Sequence, residues 1–175
     1  METIRLVPPT EGSLDQVRAY RQECLSAGSS MDGSGPLRRL EDPAKWLAQV
    51  ISCTNPATLP DGKVLATQFL AVRDSDGGLV GMINVRHYFN DYQKKYAGHI
   101  GYSVRPCERR KGYAREMLRL ALPHCKGLGL TRVLITCSVD NEGSRRTILS
   151  NGGVYECTVH EPEEDIDLER YWITL

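Results

Sequence analysis

Residues 99–121 constrain this chain more than any other stretch. His99–Val104 is an apolar-rich run that reads as a strand, closed by Arg105-Pro106. Ala114, Met117, Leu118 and Ala121 then fall at i, i+3, i+4 and i+7, the spacing of a helix with one face on a core. The turn between them, Arg109-Arg110-Lys111-Gly112-Tyr113-Ala114, is basic and carries a glycine. Backbone N–H groups at a helix start lack intrahelical acceptors, and the helix dipole favours negative charge there. Glycine lets the backbone come close to a bound group. Arg105, Arg109, Arg110, Lys111 and Arg115 face a single acid, Glu108, in a chain whose 22 basic and 22 acidic residues cancel. The stretch reads as a local phosphate site.

Around it the chain alternates strands and helices. Thr3–Val7 reads as a strand ended by Pro8-Pro9, and 12–27 as a helix with Ser13 as a plausible cap. Residues 27–37, AGSSMDGSGPL, read as a mobile loop, either a connector or a substrate-side flap. Asp42-Pro43 starts a second helix. Residues 64–73 and 79–90 are strand-like and joined across DSDGG, a hairpin signal. Residues 90–98 are polar and turn-like, and Pro123 is expected to end or kink the helix that starts at 112. Residues 132–139 form a fifth strand. A helix from Asp140/Asn141 stops at Asn151-Gly152-Gly153. Strands at 154–160 and 166–174 close the chain around an acidic loop. This order predicts an α/β (α+β) architecture: one domain over 1–175, with a mixed, mostly antiparallel sheet of about seven strands flanked by about four helices.

Composition narrows the function. With 41% hydrophobic and 25% charged residues the chain is an ordinary globular one. Zero net charge argues against a nucleic-acid or membrane-surface binder. METIRLVPPT has no apolar core of a signal peptide, and no run approaches a membrane span, so the expected location is cytoplasmic. The six cysteines are scattered without metal-site spacing, and the four histidines form no cluster, so no metal is expected. The P-loop pattern does not occur. Gly127-Leu-Gly129 lacks the third glycine of a dinucleotide fingerprint and runs into a strand. What survives is the R-x-x-G-x-A turn after a GYSV strand.

That combination resembles the GCN5-related N-acetyltransferase (GNAT) superfamily. There the segment Q/R-x-x-G-x-G/A binds the acetyl-CoA pyrophosphate, matched here by Arg109, Gly112 and Ala114. The resemblance covers about residues 3–174. It implies that acetyl-CoA is held by Tyr102, Ser103 and Val104 on the strand and by Arg109, Arg110, Lys111, Gly112, Tyr113, Ala114 and Arg115 on the turn. Asn141 and Ser144, at the start of the late helix, match positions that touch the pantetheine arm. The strand at 132–139 must diverge from 99–104 to admit that arm. GYSVRP, RRKGYA and NGG together resemble a bacterial subgroup of predicted acetyltransferases.

Acetyl transfer to an amine needs a placed thioester, a neutral amine and a stabilised oxyanion. The Val104 N–H is the candidate oxyanion donor, and His87 and His99 are the candidate bases. Many members carry a tyrosine seven residues after the asparagine, to protonate the leaving thiolate; here that position is Ile148. Tyr155 and Ser144 are the candidate replacements. The acceptor would be a small-molecule or peptide amine, and the protein a monomer or homodimer. The rival reading is a non-catalytic module that binds and senses acyl-CoA.

Overall fold

The computed structural model describes residues 2–175. Its first sheet is antiparallel in the order β1-β2-β3-β4, from Ile4–Val7, Ala66–Arg73, Leu79–Arg86 and Ile100–Val104. The second is antiparallel in the order β5-β7-β6, from Arg132–Ser138, Ile166–Thr174 and Val154–Glu161. Helices α1 (Leu14–Ser26) and α2 (Pro43–Ser52) cover one face of the first sheet, and α3 (Tyr113–Gly127) covers the other. The short helix α4 (Glu142–Leu149) follows β5.

Sheet burial explains the unbroken apolar stretches at β2 and β3. Leu70, Val72, Leu79 and Met82 pack with Val17, Tyr20 and Trp46 of α1 and α2. Ala71, Val80, Ile83 and Val85 pack with Met117, Leu118 and Ala121 of α3. A strand buried on both faces loses the apolar–polar alternation of a half-exposed one. Helix α2 starts where expected: the Asp42 carboxylate accepts the Ala44 N–H at 2.9 Å, with Pro43 in the first turn.

Three expectations need correction. The single mixed sheet is two antiparallel sheets, because β4 and β5 form no ladder. Among the described residues the bonds that join them are those of His99, just before β4, whose N–H donates to Leu134 O at 2.7 Å and whose Nδ1 accepts from Leu134 N–H at 2.9 Å. Gly98 (φ 65°) sits against this junction, where a Cβ would come within 2.4 Å of Leu134 O. Of the two outcomes expected at Pro123, the ending does not occur: α3 runs on to Gly127, since the missing proline N–H removes one bond while Cys125 is still buried beneath the last turn. The 27–37 loop is pinned rather than mobile: Ser103 Oγ donates to Asp32 O (2.6 Å), Gln68 Nε2 to Gly33 O (2.8 Å) and Trp46 Nε1 to Ser34 O (2.7 Å).

Segment 90–98 contains a π-helical turn, Gln93–Ala97, closed by Gly98 N–H to Gln93 O at 2.7 Å. β3 accordingly stops at Arg86, and His87 N–H bonds instead to Leu65 O. Among the described residues no helix is long and apolar enough to cross a membrane.

The junction makes stability depend on pH. Burial, with the Arg86 charge in support, pushes the His99 pKa down to about 4, and only 5% of the residue is exposed. The unfolded chain protonates this ring near pH 6.5 while the folded one resists, so stability is lost as pH falls from about 6.5 to 4, by up to about 3 kcal/mol. Urea unfolding across that window should show the slope, and His99→Gln should remove the His99 share of it, leaving that of the carboxylates and of His87 and His124, whose pKa values burial also lowers.

Candidate active site

Register shows what lies beyond the His99 junction. Gly81 pairs with Val104 and Val85 with Ile100, while Arg105 N–H bonds to Val80 O and Arg86 N–H to His99 O. Odd-numbered residues of β4 therefore direct their backbone groups at β3. Those of Ile100, Tyr102 and Val104 point the other way, where no strand lies. On β5 the bonds Leu175 N–H to Thr131 O and Val139 N–H to Asp167 O fix the same alternation. The backbone of Thr136 and the N–H of Ser138 thus face β4 across a gap.

The gap is a cavity of about 910 Å³, lined by Ile100–Val104 on one side and Thr136, Cys137 and Ser138 on the other. At one end stands the start of α3, with Arg109, Arg110, Gly112, Tyr113, Ala114 and Arg115 on its wall. Gly112 caps the helix at φ 86° and Arg110 sits at φ 63°, so the chain passes twice through the left-handed region. This curls the turn over the first free N–H groups of α3. At the α4 wall, Asn141 Oδ1 accepts the Ser144 N–H at 3.0 Å and Ser144 Oγ lies 2.8 Å from the Tyr102 hydroxyl. Asn141, Gly143, Ser144 and Thr147 all line the cavity.

The basic cluster divides. Lys111 and Arg73 grip Glu108 at 2.9 and 2.6 Å, and Lys111 is turned off the cavity wall. Burial works against the Glu108 carboxylate, but Lys111 and Arg73 outweigh it and hold its pKa below the ordinary value. Arg105 pairs with Glu23, which also accepts the Cys107 N–H at 2.8 Å. Arg109 donates through Nε to Val104 O at 3.2 Å and through Nη2 to Ser29 Oγ, tying the turn to the 27–37 loop. Among the described residues only Arg110 and Arg115 of the five basic side chains make no side-chain hydrogen bond or ion pair. Ser103 is committed beneath the strand, 2.7 Å from the buried Tyr20 hydroxyl.

The candidate bases and acids are scattered. His87 lies off the cavity wall, with Nε2 2.8 Å from Thr67 Oγ1, and His124 shares that hydroxyl at 3.1 Å. Burial, then the neighbouring His124, lowers its pKa. His99 is spent on Leu134. Tyr155 is half exposed on β6, with its hydroxyl on Thr158 at 2.9 Å and its ring against Tyr171. Ile148 is fully buried in the core. Only Ser144 of these stands at the cavity, joined to Tyr102, whose hydroxyl pKa is pushed up by burial against the pull of the Ser144 bond.

Sequence reasoning missed the far end of the cavity. Arg86, Tyr92, Tyr96 and Ala97 reach it from β3 and the π-helical turn, Asp32 from the pinned loop, and Glu161 and Glu164 from the β6–β7 connection. In sequence the acidic run reads only as a connecting loop, and no local pattern links Arg86 to it across 75 residues. Among the described residues no group of three or more His, Cys, Asp or Glu could hold a metal.

Comparison with known proteins agrees with this architecture. The acetyltransferase (GNAT) domain model matches residues 3–154. No curated protein matches the sequence. A ribosomal-protein-S5-alanine acetyltransferase from Vibrio fischeri superposes with TM-score 0.73 at 18% identity, over 98% of this chain and 91% of that one. A ribosomal L7/L12 α-N-protein acetyltransferase in complex with coenzyme A gives 0.72 at 17%, over 99% and 94%. A GNAT-family acetyltransferase from Bacillus anthracis gives 0.66 at 21%, over 99% and 95%. At these identities the structural likenesses carry the fold, and the domain match carries the family. The chain belongs to the GNAT acetyltransferase family, and its enzymatic class is N-acetyltransferase.

The divided basic cluster gives a test by isothermal titration with acetyl-CoA. Arg110→Ala and Arg115→Ala should each weaken binding about three- to fivefold, since exposed charges are screened, and should flatten its salt dependence. Lys111→Ala should leave affinity within about twofold, because that charge is already balanced by Glu108.

Proposed function

We propose that this chain, acting as one unit over 1–175 in the cytoplasm, transfers the acetyl group of acetyl-CoA to a primary amine by direct attack in a ternary complex. The observation that carries this reading is the pair of unpartnered strand edges, β4 and β5, opening beside the free N–H groups of α3. A pantetheine arm bears two amides, and the Ile100, Tyr102 and Thr136 backbones offer them donors and acceptors. The pyrophosphate falls to the α3 start and to Arg110 and Arg115, with Asn141 and Ser144 along the arm. Acetyl-CoA supplies an acyl group already activated as a thioester.

The spacing along β4 bears on the oxyanion. Val104 adjoins the phosphate turn and its carbonyl is held by Arg109. Tyr102 and Ile100 lie roughly 7 and 13 Å further along the strand. The phosphate-to-thioester span of the cofactor therefore favours the N–H of Tyr102 or Ile100 over that of Val104. A bond forms between nitrogen and carbon as the carbon–sulfur bond breaks; the amine loses a proton and the departing thiolate gains one. The Tyr102 hydroxyl, backed by Ser144, remains protonated at neutral pH and is our candidate donor. Asp32, Glu161 and Glu164 surround the amine end, where a carboxylate or a water beside it takes the proton.

The cysteines support direct attack. Cys137 lines the cavity, but burial, then Glu169, pushes its pKa up to about 11. Burial and Glu23 also raise Cys107. A nucleophilic cysteine needs the opposite shift.

Thiol detection of released CoA with a panel of amines tests the reading. Turnover is expected, and Tyr102→Phe should cut kcat about a hundredfold while leaving acetyl-CoA affinity within about twofold. Tight binding of acetyl-CoA with no release from any amine would establish the sensing module instead.

A further inference from the structure

The far end of the cavity holds charges of both signs that do not neutralise one another. Arg86 reaches it from the last residue of β3. Its Nη1 donates to Gly98 O at 3.0 Å and Ala97 O at 3.3 Å, which fixes the guanidinium plane beside the β4–β5 junction. Among the described residues no carboxylate lies within ion-pair distance of it, and Nε and Nη2 make no hydrogen bond. Arg86 is half-buried, and burial lowers its pKa with Tyr92 and Asp32 opposing, so it is a partly desolvated cation whose nearest opposing groups stand off. A guanidinium has five donors in a fork that matches a carboxylate, and those left over here open on the cavity.

Opposing acids line the same space. Glu161 is 1% exposed, and its two oxygens accept the backbone N–H groups of Glu163 (3.3 Å) and Glu164 (2.6 Å), which holds the carboxylate in place without a cation. Asp32 and Glu164 have no ion pair either, among the described residues. Tyr92 lies between the signs: burial, then Glu161 and Glu164, raises its hydroxyl pKa, and Arg86 opposes them. Arg86 and the buried Glu161 stand apart across one hollow with the exposed Asp32 and Glu164 at its rim, and charges withdrawn from water without a partner are costly unless a ligand completes both.

The geometry points to an acceptor that carries a carboxylate as well as its amine, a small zwitterion of the amino-acid type, with the carboxylate on Arg86 and the ammonium among Asp32, Glu161 and Glu164. This rests on the acetyl-transfer reading above and narrows its substrate class. It also explains why the cationic group stands at the thioester end, far from the phosphate turn: a plain polyamine or alkylamine would find a repelling guanidinium where its second anchor should be.

Matched pairs test it: phenylalanine against phenethylamine, methionine against 3-methylthiopropylamine, and lysine against cadaverine, each followed by CoA release, with acetyl-CoA affinity measured separately by titration. The carboxylate-bearing member of at least one pair should be favoured about tenfold or more in kcat/KM. Arg86→Met should shrink that preference to within about twofold through the KM of the amino acid. Arg86→Lys should retain part of it. A merely structural arginine would change both members of a pair alike and leave the ratio standing. Equal rates within every pair, a preference for the decarboxylated amines, or a ratio untouched by Arg86→Met overturns the inference while acetyl transfer stands. Release from none of the amino acids overturns it too. Failure of acetyl-CoA to bind at all removes the underlying reading and this inference with it.

Discussion

One buried imidazole joins two sheets and decides what lies between them. His99 gives its backbone N–H to Leu134 O and takes Leu134 N–H on its ring nitrogen. A side chain thus stands in where the next backbone carbonyl of a ladder would be. After that point β4 and β5 diverge with no pairing. Unpaired strand edges are a liability that proteins usually cover. Here they are walled off by α3, α4 and the pinned 27–37 loop, and they form the sides of a cavity. The site is therefore the consequence of stopping a sheet halfway.

The turn beside that opening works through restraint as much as through charge. Five basic side chains suggest a strong field, yet Arg105 and Lys111 are spent on Glu23 and Glu108, and Arg109 ties strand, turn and loop together. These contacts hold the left-handed residues Arg110 and Gly112 in place, so that α3 presents its free N–H groups at a fixed angle. The same economy appears at α4, where Asn141 caps the helix and Ser144 holds the Tyr102 hydroxyl. At the opposite end the pattern reverses: among the described residues Arg86, Asp32, Glu161 and Glu164 make no ion pair, and Arg86 and Glu161 are held by backbone groups alone.

Much of this was legible in the sequence because it is local. The α3 face follows from four residues at helical spacing, the α2 start from Asp42-Pro43, and the turn from one short pattern between strand and helix. What escaped depends on contacts between distant residues. Nothing near His99 says that its ring substitutes for a carbonyl, so it reads as a base. His87 sits one residue past β3, but its direction is set by Thr67, twenty residues earlier. Tyr155 follows the glycine pair closely, yet β6 is the outer strand of its sheet and turns it to solvent. The 27–37 loop has the composition of a flexible segment. It is fixed by Trp46, Gln68 and Ser103, none of them neighbours in sequence.

We place acetyl-CoA in the opening between β4 and β5. Residue-resolved amide exchange by NMR, with and without acetyl-CoA, addresses it directly, because the groups at issue are individual backbone N–H bonds. Protection should rise at Ile100 and Tyr102 on β4, at Thr136 and Ser138 on β5, and at the first residues of α3. The odd-numbered residues of β4, already bonded to β3, should change little. Protection confined to other surfaces, with the even-numbered β4 amides exchanging as fast as before, would contradict it.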